Sequence, residues 1–320
     1  MNANAIRQAQ AMTMIERFAA DAVVRWHVGE RALQHTIGAD QVFAGLESRI
    51  FHTQLSEQQR IFFSCLSLLV IGSVDDEGLV WATVVSGSPG FLSSPNTRTL
   101  SIGTALSEAD PARKGLHSGE SVALLGIDFA TRRRYRVNGK VVASASSHMD
   151  IRTAQVFGNC PKYIKVRHVV GRPASTDPVD GREELSVLDG DARSLIERAE
   201  TFFVGSYVDL PDTGRQVDVS HRGGPAGFVR ASQNGTLTVP DYSGNRFFNT
   251  LGNFAVNPLA GLAFADFEQG TLLQLSGAVE LVLDGPDIDA YPGAERLWRF
   301  VPRTVVRRHS AFDLLQLKGA

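Results

Sequence analysis

The sequence predicts a β-rich α+β protein in which one β unit occurs twice after an N-terminal helical segment. Three observations support this prediction: short apolar runs bounded by turn signals, similar segments about 137 residues apart, and helical periodicity near the start of the chain. With 320 residues, the chain is long enough for about two domains of typical size.

Residues 1–60 are predicted to be helical. Apolar residues recur near helical spacing at Met14, Phe18 and Val23–Val24, and again at Val42, Leu46 and Ile50. Ser56, followed by Glu57 and Gln59, suits the start of a further helix.

Residues 61–170 are predicted to form the first β unit. Leu68–Val74 is a short apolar run that ends at the turn signal Asp75-Asp76-Glu77-Gly78, and Leu79–Val85 follows, which indicates a β-hairpin. Further strand-like runs lie at Thr99–Ile102, Val122–Phe129, Tyr135–Val142 and Gln155–Val156.

Residues 171–190 are rich in Pro, Gly and Asp and are predicted to be a linker. The second unit, residues 191–320, then opens with a predicted helix at Ala192–Glu200. Its predicted strands are Phe202–Val208, Gln216–Ser220, Thr236–Val239, Ala260–Phe264 and Leu272–Leu283.

The two units repeat each other. SGSPGFLSSPNTRTLSI, from Ser86, aligns with GGPAGFVRASQNGTLTV, from Gly223, so that glycine, phenylalanine and leucine positions coincide. The units are not chemically equal, because the first contains TRRRYRVNG where the second contains GTLLQLSG. A division of labour after duplication is the natural interpretation.

Composition excludes several classes of protein. The net charge of −2 gives no global attraction to nucleic acid or an acidic membrane, and the two cysteines form no disulfide or zinc pattern. The first thirty residues contain charged side chains throughout, which argues against a secretory signal. We therefore expect a soluble, cytoplasmic protein with no nucleic-acid or membrane partner. The histidine spacings suggest no metal site.

The sequence contains no P-loop, no strand–GxGxxG–helix pattern, no HExxH and no GxSxG. The strongest local cluster is Ser220, His221 and Arg222, which end a predicted strand before two glycines. An arginine offers two donors suited to phosphate, a serine adds a hydroxyl, and glycine lets the backbone approach a ligand. A charged strand end followed by a plain turn is the alternative.

A second cluster lies in PDYSGNRFFNTLGN, from Pro240 to Asn253. Asp241 or Ser243 is expected to cap a helix whose first turn includes Asn245 and Arg246, which would make an anion site. Asn249 and Asn253 would lie on one face of that helix, available to a polar ring or phosphate. A well-capped amphipathic helix without a ligand is the alternative.

Two further clusters belong to the first unit. Strand alternation would place Arg132, Arg134 and Arg136 on one face and Arg133 on the other, and a solvated hairpin tip is the favoured interpretation. In VFGNCPKYIK the side chains of Asn159, Lys162 and Tyr163 are candidate ligand contacts. For Cys160 a buried, inert thiol is favoured over a reactive one.

At these residues the chain resembles the pyridoxamine 5′-phosphate oxidase-like family of FMN-binding split barrels, and in particular its two-unit flavin-nucleotide-binding proteins. The matching segments are WHVGERALQ, SHRGGPAGFV, PDYSGNRFFNTLGN, LLQLSG, TRRRYRVNG and FGNCPKYIK. The resemblance implies two tandem split β-barrels with FMN at a barrel–barrel interface.

The resemblance also implies roles for individual residues. Ser220, His221 and Arg222 match the strand element that holds the phosphate in the family. Ser243, Asn245 and Arg246 match the family's helix-start element, and Gln274 falls in the hairpin that lines the flavin in relatives. Together with Asn249, Arg134 and Lys162 from the clusters above, these are the residues expected to bind the cofactor. The oxidase's Arg-Gln pair is replaced here by Thr271-Leu272, and its substrate-binding Arg-x-His has no clear counterpart, which weighs against vitamin B6 oxidation.

The leading hypothesis is an FMN-dependent oxidoreductase that acts on a small molecule or receives electrons from a separate reductase, with no catalytic side chain named. The first alternative is a non-catalytic flavin-binding or electron-carrying protein that docks to a partner. The second is a haem-binding split barrel with His221 as iron ligand. A homodimer is possible, and the flavin site could lie within one chain or between two.

Overall fold

The computed structural model describes residues 26–104, 106–171 and 181–316. It confirms the predicted fold class: two related, mostly antiparallel β units follow an N-terminal helical segment. Each unit is an antiparallel sheet that curls around its own apolar core, as in a split barrel.

The N-terminal segment contains short helices joined by tight turns. They are α1 (Val28–Thr36), α2 (Asp40–Ala44), α3 (Glu47–Ile50) and α4 (Glu57–Ser64). The predicted start of α4 is confirmed, because the Ser56 hydroxyl accepts from the Gln59 N–H while the Gln59 side chain accepts from the Ser56 N–H. The expected helical pattern at Met14, Phe18 and Val23–Val24 lies outside the described residues.

The first unit is a seven-stranded sheet with the order β2-β1-β5-β6-β7-β4-β3. Its strands are β1 (Leu68–Val74), β2 (Val80–Ser86), β3 (Leu92–Asn96), β4 (Thr99–Ile102), β5 (Ser121–Asp128), β6 (Arg133–Ala145) and β7 (His148–Gly158). A 3-10 helix at Pro111–Gly115 connects β4 to β5. The strand β8 (Val169–Gly171) follows the unit and pairs with β17 (Leu314–Gln316) near the other end of the chain.

The second unit has the same topology, with the order β11-β10-β14-β15-β16-β13-β12. Its elements are α5 (Gly190–Arg198), β10 (Thr201–Leu210), β11 (Gly214–Gly223), β12 (Arg230–Ala231), β13 (Leu237–Tyr242), α6 (Asn249–Val256), β14 (Leu259–Asp266), β15 (Thr271–Val282), a 3-10 helix at Pro286–Ala290, and β16 (Ala294–His309). Since β1 to β7 correspond in order to β10 to β16, the duplication predicted from the sequence is confirmed.

Three features differ from the expected pattern. Part of the proposed linker is a strand, β9 (Gly181–Leu185), which pairs with β16, while residues 172–180 lie outside the described range. The long strand β16 was not predicted, because its arginines and Pro302 obscure the apolar alternation. Short β3 and β12 were also missed, because few residues carry a strand signal there.

The two units share an apolar interface. One core cluster contains Val70 and Val84 of the first unit together with Phe203 and Val219 of the second. Backbones approach closely here: a Cβ atom built on Gly261 would lie 2.3 Å from the carbonyl oxygen of Val80. The repeats therefore pack as one body, with a seam of small residues between them.

Among the described residues, no helix has the length and apolar character needed to cross a membrane.

The seam gives a first prediction. Gly261→Ala should destabilise the protein by about 1–3 kcal/mol or more, because the new methyl group would overlap the Val80 carbonyl and neither backbone can move independently. Gly190→Ala is the matched control, since a Cβ there meets nothing within 4 Å at the start of α5. Urea unfolding of both variants measures the difference; equal stability would contradict a tight seam.

Candidate functional site

A cleft of about 840 Å³, including its open mouth, lies where the two units meet. The first unit contributes the start of β6 and the segment 159–163, and the second contributes the end of β11, the segment 240–248 and the first turn of α6. Both sides of the cleft come from one chain.

Six cationic side chains line this cleft. They are Arg134, Arg136, Lys162, Arg222, Arg246 and Arg296. Asp241 is the one carboxylate among the lining residues. Because the whole chain carries a net charge of −2, this concentration of positive charge is local.

Arg136 is the most buried of these cations and bridges the two units. Its guanidinium donates to the Asp218 carboxylate at 2.8 Å and to the Ser220 hydroxyl at 2.6 Å, and only 4% of the residue is exposed. Ser220 in turn donates to Asp218 at 3.0 Å. The hairpin-tip interpretation is therefore wrong for Arg136, because β11 of the second unit covers this part of β6, whereas Arg132 and Arg133 at the tip are exposed.

The same network reaches the N-terminal helix. Arg136 donates to the Asn249 side-chain oxygen at 3.2 Å, and Asn249 donates to Glu30 of α1 at 2.5 Å. Ser220 also shares a 2.8 Å hydrogen bond with Thr250. Helix α1, strand β6, strand β11 and helix α6 are thus joined by one chain of buried polar contacts.

Two titratable groups in α1 respond to this burial. Desolvation raises the pKa of Glu30 to about 8, although hydrogen bonds from the His27 backbone and from Asn249 favour its ionised form. Burial lowers the pKa of His27 to about 4. At neutral pH we expect both side chains to be uncharged.

Arg222 and Arg134 are the least compensated cations of the cleft. Arg222 makes no hydrogen bond or ion pair to the described residues, and its Nε is buried without a partner. Arg134 donates to the Cys160 carbonyl at 2.6 Å, but its Nε is also buried and unpartnered. Burial, followed by the neighbouring charges of Arg136 and Arg222, lowers the pKa of Arg134 to about 9. Neither makes an ion pair to a carboxylate of the described residues, although the charge of Asp241 favours the ionised form of Arg222.

The strand end that carries Arg222 lies against the first unit. A Cβ atom on Gly223 would come within 2.2 Å of the Tyr163 carbonyl oxygen, so the backbone of β11 touches the segment 159–163 directly. The sequence predicted that this glycine lets the backbone approach a ligand, whereas the structure shows it in close approach to the backbone of the first unit.

The helix that the sequence predicted to include Asn245 and Arg246 in its first turn does not begin there. Asp241 belongs to β13 and binds Arg296 at 3.1 Å, and α6 begins only at Asn249 with no side-chain cap. Arg246 and Phe248 have left-handed backbones, with φ of 59° and 60°, which breaks the helical path before that point. The first turn of α6 nevertheless lines the cleft, so its free N–H groups lie beside the cations.

The segment 159–163 closes one side of the cleft mouth. The Lys162 ammonium and the Tyr163 hydroxyl each donate to the Ser243 carbonyl at 2.9 Å, and the Tyr163 and Tyr242 rings lie 5.5 Å apart. Cys160 is exposed at the cleft, so the expectation of a buried thiol is wrong. It follows the end of β7, where no layer covers it.

His221 lies deeper, with 3% of its surface exposed. Its Nε2 lies 3.3 Å from the Thr201 hydroxyl, and the rings of Phe129 and Phe203 contact the imidazole edge-on. Burial first, and then the charges of Arg134, Arg222, Arg167 and Arg136, lowers its pKa well below 6.5. Within the described residues, no group of three or more His, Cys, Asp or Glu side chains could hold a metal ion.

Gln274 lies away from this cleft, which corrects its expected place beside the cofactor. The side chain is fully buried and donates to the Ala82 carbonyl and to Asp110, each at 3.0 Å. Gln274 occupies in β15 the position that Arg136 occupies in β6, since each pairs with the equivalent residue of the preceding strand, Ala263 and Leu125. The repeat therefore moves Gln274 to the opposite side of the seam.

The other predicted residues converge on the cleft. They are Ser220, His221, Arg222, Ser243 through its carbonyl, Asn245, Arg246, Asn249, Arg134 and Lys162. Their individual contacts differ: Arg246 is half exposed and lies 3.4 Å from Glu295, while Asn249 is engaged by Arg136 and Glu30. Sequence reasoning missed Glu30 and Asp218, although Glu30 lies in the motif WHVGERALQ and Asp218 lies two positions before Ser220 on the same strand.

Comparisons with known proteins find structural neighbours only. No protein-family model and no curated protein matches the chain. One neighbour, from Lactobacillus delbrueckii, is named as a pyridoxamine 5′-phosphate oxidase and is 17% identical to this chain. The match covers 34% of this chain and 98% of that chain, with a TM-score of 0.27.

Two further solved structures show a similar pattern. The FAD binding protein from Mycobacterium smegmatis is 17% identical over 40% of this chain and 98% of its own, with a TM-score of 0.28. The heme storage protein from Vibrio cholerae is 14% identical over 38% and 93%, with a TM-score of 0.27. Each of these matches covers between 34% and 40% of this chain and nearly all of the neighbour's own chain. At these values we transfer no activity, cofactor or partner from them.

Glu30 gives a prediction on pH. The folded carboxyl keeps its proton up to about pH 8, whereas its ordinary pKa is 4.5, so the folded state binds more protons within this window and the free energy of unfolding falls as pH rises. Near pH 6.5 the unfolded His27 and His221 still bind protons that the buried imidazoles do not, which opposes this slope. Between about pH 7.25 and 8, where His27 is largely neutral in both states, the slope is at most about 1 kcal/mol per pH unit.

We expect Glu30→Gln to remove this slope, measured by urea unfolding at pH 7.25 and 8. Exposed Glu77→Gln is the control and should keep the slope of the unmodified protein. A slope unchanged by Glu30→Gln would show that its carboxyl is ionised in the folded protein.

Proposed function

We propose that the cleft binds FMN, with the phosphate between Arg134 and Arg222, and that the bound flavin serves an oxidoreductase reaction on a small molecule. The observation that carries this proposal is that, among the arginines lining the cleft, Arg134 and Arg222 make no ion pair to a described carboxylate, and the Nε atom of each is buried without a partner. They come from opposite units and line one cleft.

An anion is the ligand that such a pair requires. A buried cation without a counter-ion loses its hydration and gains nothing in return, and the lowered pKa values of Arg134 and Arg222 express that cost. A phosphate monoester carries nearly two negative charges and several acceptor oxygens, which suit two forked donors and the N–H groups at the start of α6. A single carboxylate would neutralise only one of the two.

The remaining walls suit a planar ring. Phe228, Phe248 and Leu251 add apolar surface, and Tyr163 and Tyr242 lie at the mouth. Lys162, Asn159 and Asn245 offer polar groups around this surface. The donor set therefore fits a phosphate with an attached aromatic system, as FMN has, and the sequence resemblance supports the same choice.

When bound, FMN would supply the transfer of a hydride or of electrons. The residues of the chain would hold the phosphate, orient the ring and exclude water, and we name no catalytic side chain. The same geometry serves a flavin carrier that passes electrons to a partner. Turnover of added NAD(P)H by the FMN-loaded protein alone would identify an enzyme that takes electrons directly from the nucleotide. The proposal also includes a small-molecule substrate, a separate reductase as a partner and a cytoplasmic location.

Haem is less well accommodated. His221 Nε2 is close to Thr201, and the imidazole is packed among phenylalanine rings and cations, so it would have to leave these contacts to bind iron. The spectrum of the purified protein distinguishes the ligands: two flavin bands in the visible range support FMN, while a Soret band would overturn it.

Arg222 provides the mutational test. Arg222→Ala should weaken FMN binding by roughly 1.5–3 kcal/mol, because it removes a charge-assisted bond to phosphate, and should leave folding intact, because Arg222 has no partner within the described chain. Arg246→Ala should weaken it by less than about 1 kcal/mol, since Arg246 is half exposed and close to Glu295.

Flavin fluorescence titration measures these affinities, and exposed Arg303→Ala, outside the cleft, controls for the change in charge. The phosphate is misplaced if Arg222→Ala and Arg303→Ala bind FMN equally well.

The two cysteines provide a second test within the unmodified protein. Both Cys65 and Cys160 are exposed, but only Cys160 lines the cleft. If FMN covers this thiol, alkylation of Cys160 should slow by about two orders of magnitude at about 100 times the Kd, while Cys65 should react as before. Mass spectrometry of the alkylated peptides separates the sites. Equal rates at Cys160 with and without FMN would place the ligand elsewhere.

A further inference from the structure

The duplication generates a second position equivalent to the cleft, on the opposite side of the seam. In the first unit, four residues lie side by side on neighbouring strands: Val84, Val70, Leu125 and Arg136. The equivalent residues of the second unit, in the same order, are His221, Phe203, Ala263 and Gln274. By the same register, Arg222 of the cleft corresponds to Val85, and Arg134 corresponds to Leu272. We call this second position the twin position.

The twin position lacks both cations that the proposed phosphate site needs. Val85 replaces Arg222 and Leu272 replaces Arg134, and both are buried apolar side chains. A phosphate there would meet hydrocarbon in place of guanidinium. The chemical difference between the two repeats therefore lies at these two pairs of equivalent residues.

A buried polar cluster fills the twin position instead. Arg308 donates to Asp110 at 2.6 Å, Gln274 donates to the other oxygen of Asp110 at 3.0 Å, and Thr83 donates to the same carboxylate. Each of these four residues is at most 3% exposed. Asp110 also accepts the Ala112 N–H at 3.0 Å, which begins the 3-10 helix of the first unit.

The charges in this cluster balance each other, whereas those in the cleft do not. One carboxylate faces one guanidinium, and the charged atoms of Asp110 are all engaged within the protein. Arg308 lies on β16 opposite Leu272, whereas the equivalent place in the first unit, after the end of β7, holds the uncharged Asn159. The duplicated protein has gained an ion pair on one side and kept an uncompensated pair of cations on the other.

Building on the proposed function, we propose that each chain binds one mononucleotide, and that the twin position is a permanent tie between the units. Thr83 and Asp110 belong to the first unit and Gln274 and Arg308 to the second, so the cluster holds the seam closed from the side opposite the cleft. The cleft is complete within the chain and needs no second copy.

The stoichiometry of binding is the first test. Native mass spectrometry and titration at protein concentrations well above the Kd should both give one FMN per chain, and Arg222→Ala should leave no second site of the original affinity. Two FMN per chain, or tight binding that survives in Arg222→Ala, would overturn the single-site inference while leaving flavin binding itself intact.

The tie is tested without flavin. Arg308→Met leaves Asp110 buried and uncompensated and should lower the Tm by about 6–10 °C. Adding Asp110→Asn to Arg308→Met should restore part of the loss, because the unpaired charge is then removed. Asn159→Ala, at the equivalent place beside the cleft, is the matched control and should change the Tm by less than about 2 °C.

The outcomes separate the two proposals. Absence of FMN binding in the unmodified protein would end the proposed function, and the tie would still be judged by the Tm series. Similar Tm values for Arg308→Met and Asn159→Ala would overturn the tie. If Arg308→Met does not fold, Thr83→Val, which removes one hydroxyl donor from Asp110, replaces it in the series and should lower the Tm while Asn159→Ala does not.

Discussion

The buried pair between Arg136 and Asp218 is the contact on which the site depends. It joins strand β6 of the first unit to strand β11 of the second. The energetic cost of removing both charges from water is offset in part because Ser220 and Asn249 also accept hydrogen bonds from the Arg136 guanidinium. Since Asn249 begins α6 and also binds Glu30 of α1, the pair fixes four elements at once. The neighbouring Arg134 and Arg222 line the same cleft without an ion pair to a described carboxylate.

Duplication explains how one fold can carry such unequal chemistry. The two sheets share strand order and register, so the backbone offers two equivalent positions at the seam. Three pairs of equivalent residues distinguish them: Arg222 and Val85, Arg134 and Leu272, and Arg308 and Asn159. The backbone sets where a ligand could bind, and side chains decide which position keeps an open charge.

The sequence predicts most of the fold because its signals are local. Apolar runs between turn signals located strands such as Leu68–Val74, and the capping pattern at Ser56 located α4. It could not predict the partners of Arg136, which lie 82 and 113 residues away, nor the twin position, because those depend on how the units pack. Gln274 was misplaced for the same reason: its local motif resembles a flavin hairpin, but the pseudo-symmetry carries it to the other side.

The rim of the cleft contains strained backbone that is held by contacts between the two units. Tyr163, Arg246 and Phe248 all adopt left-handed backbones, an unfavourable conformation for residues with side chains. Such strain persists only where surrounding contacts hold it, and here the Ser243 carbonyl receives both Lys162 and Tyr163 across the mouth. The first unit therefore holds the loop that follows β13 in the second. An anion that drew Arg134 and Arg222 together would reinforce the same junction, because its two donors also belong to different units.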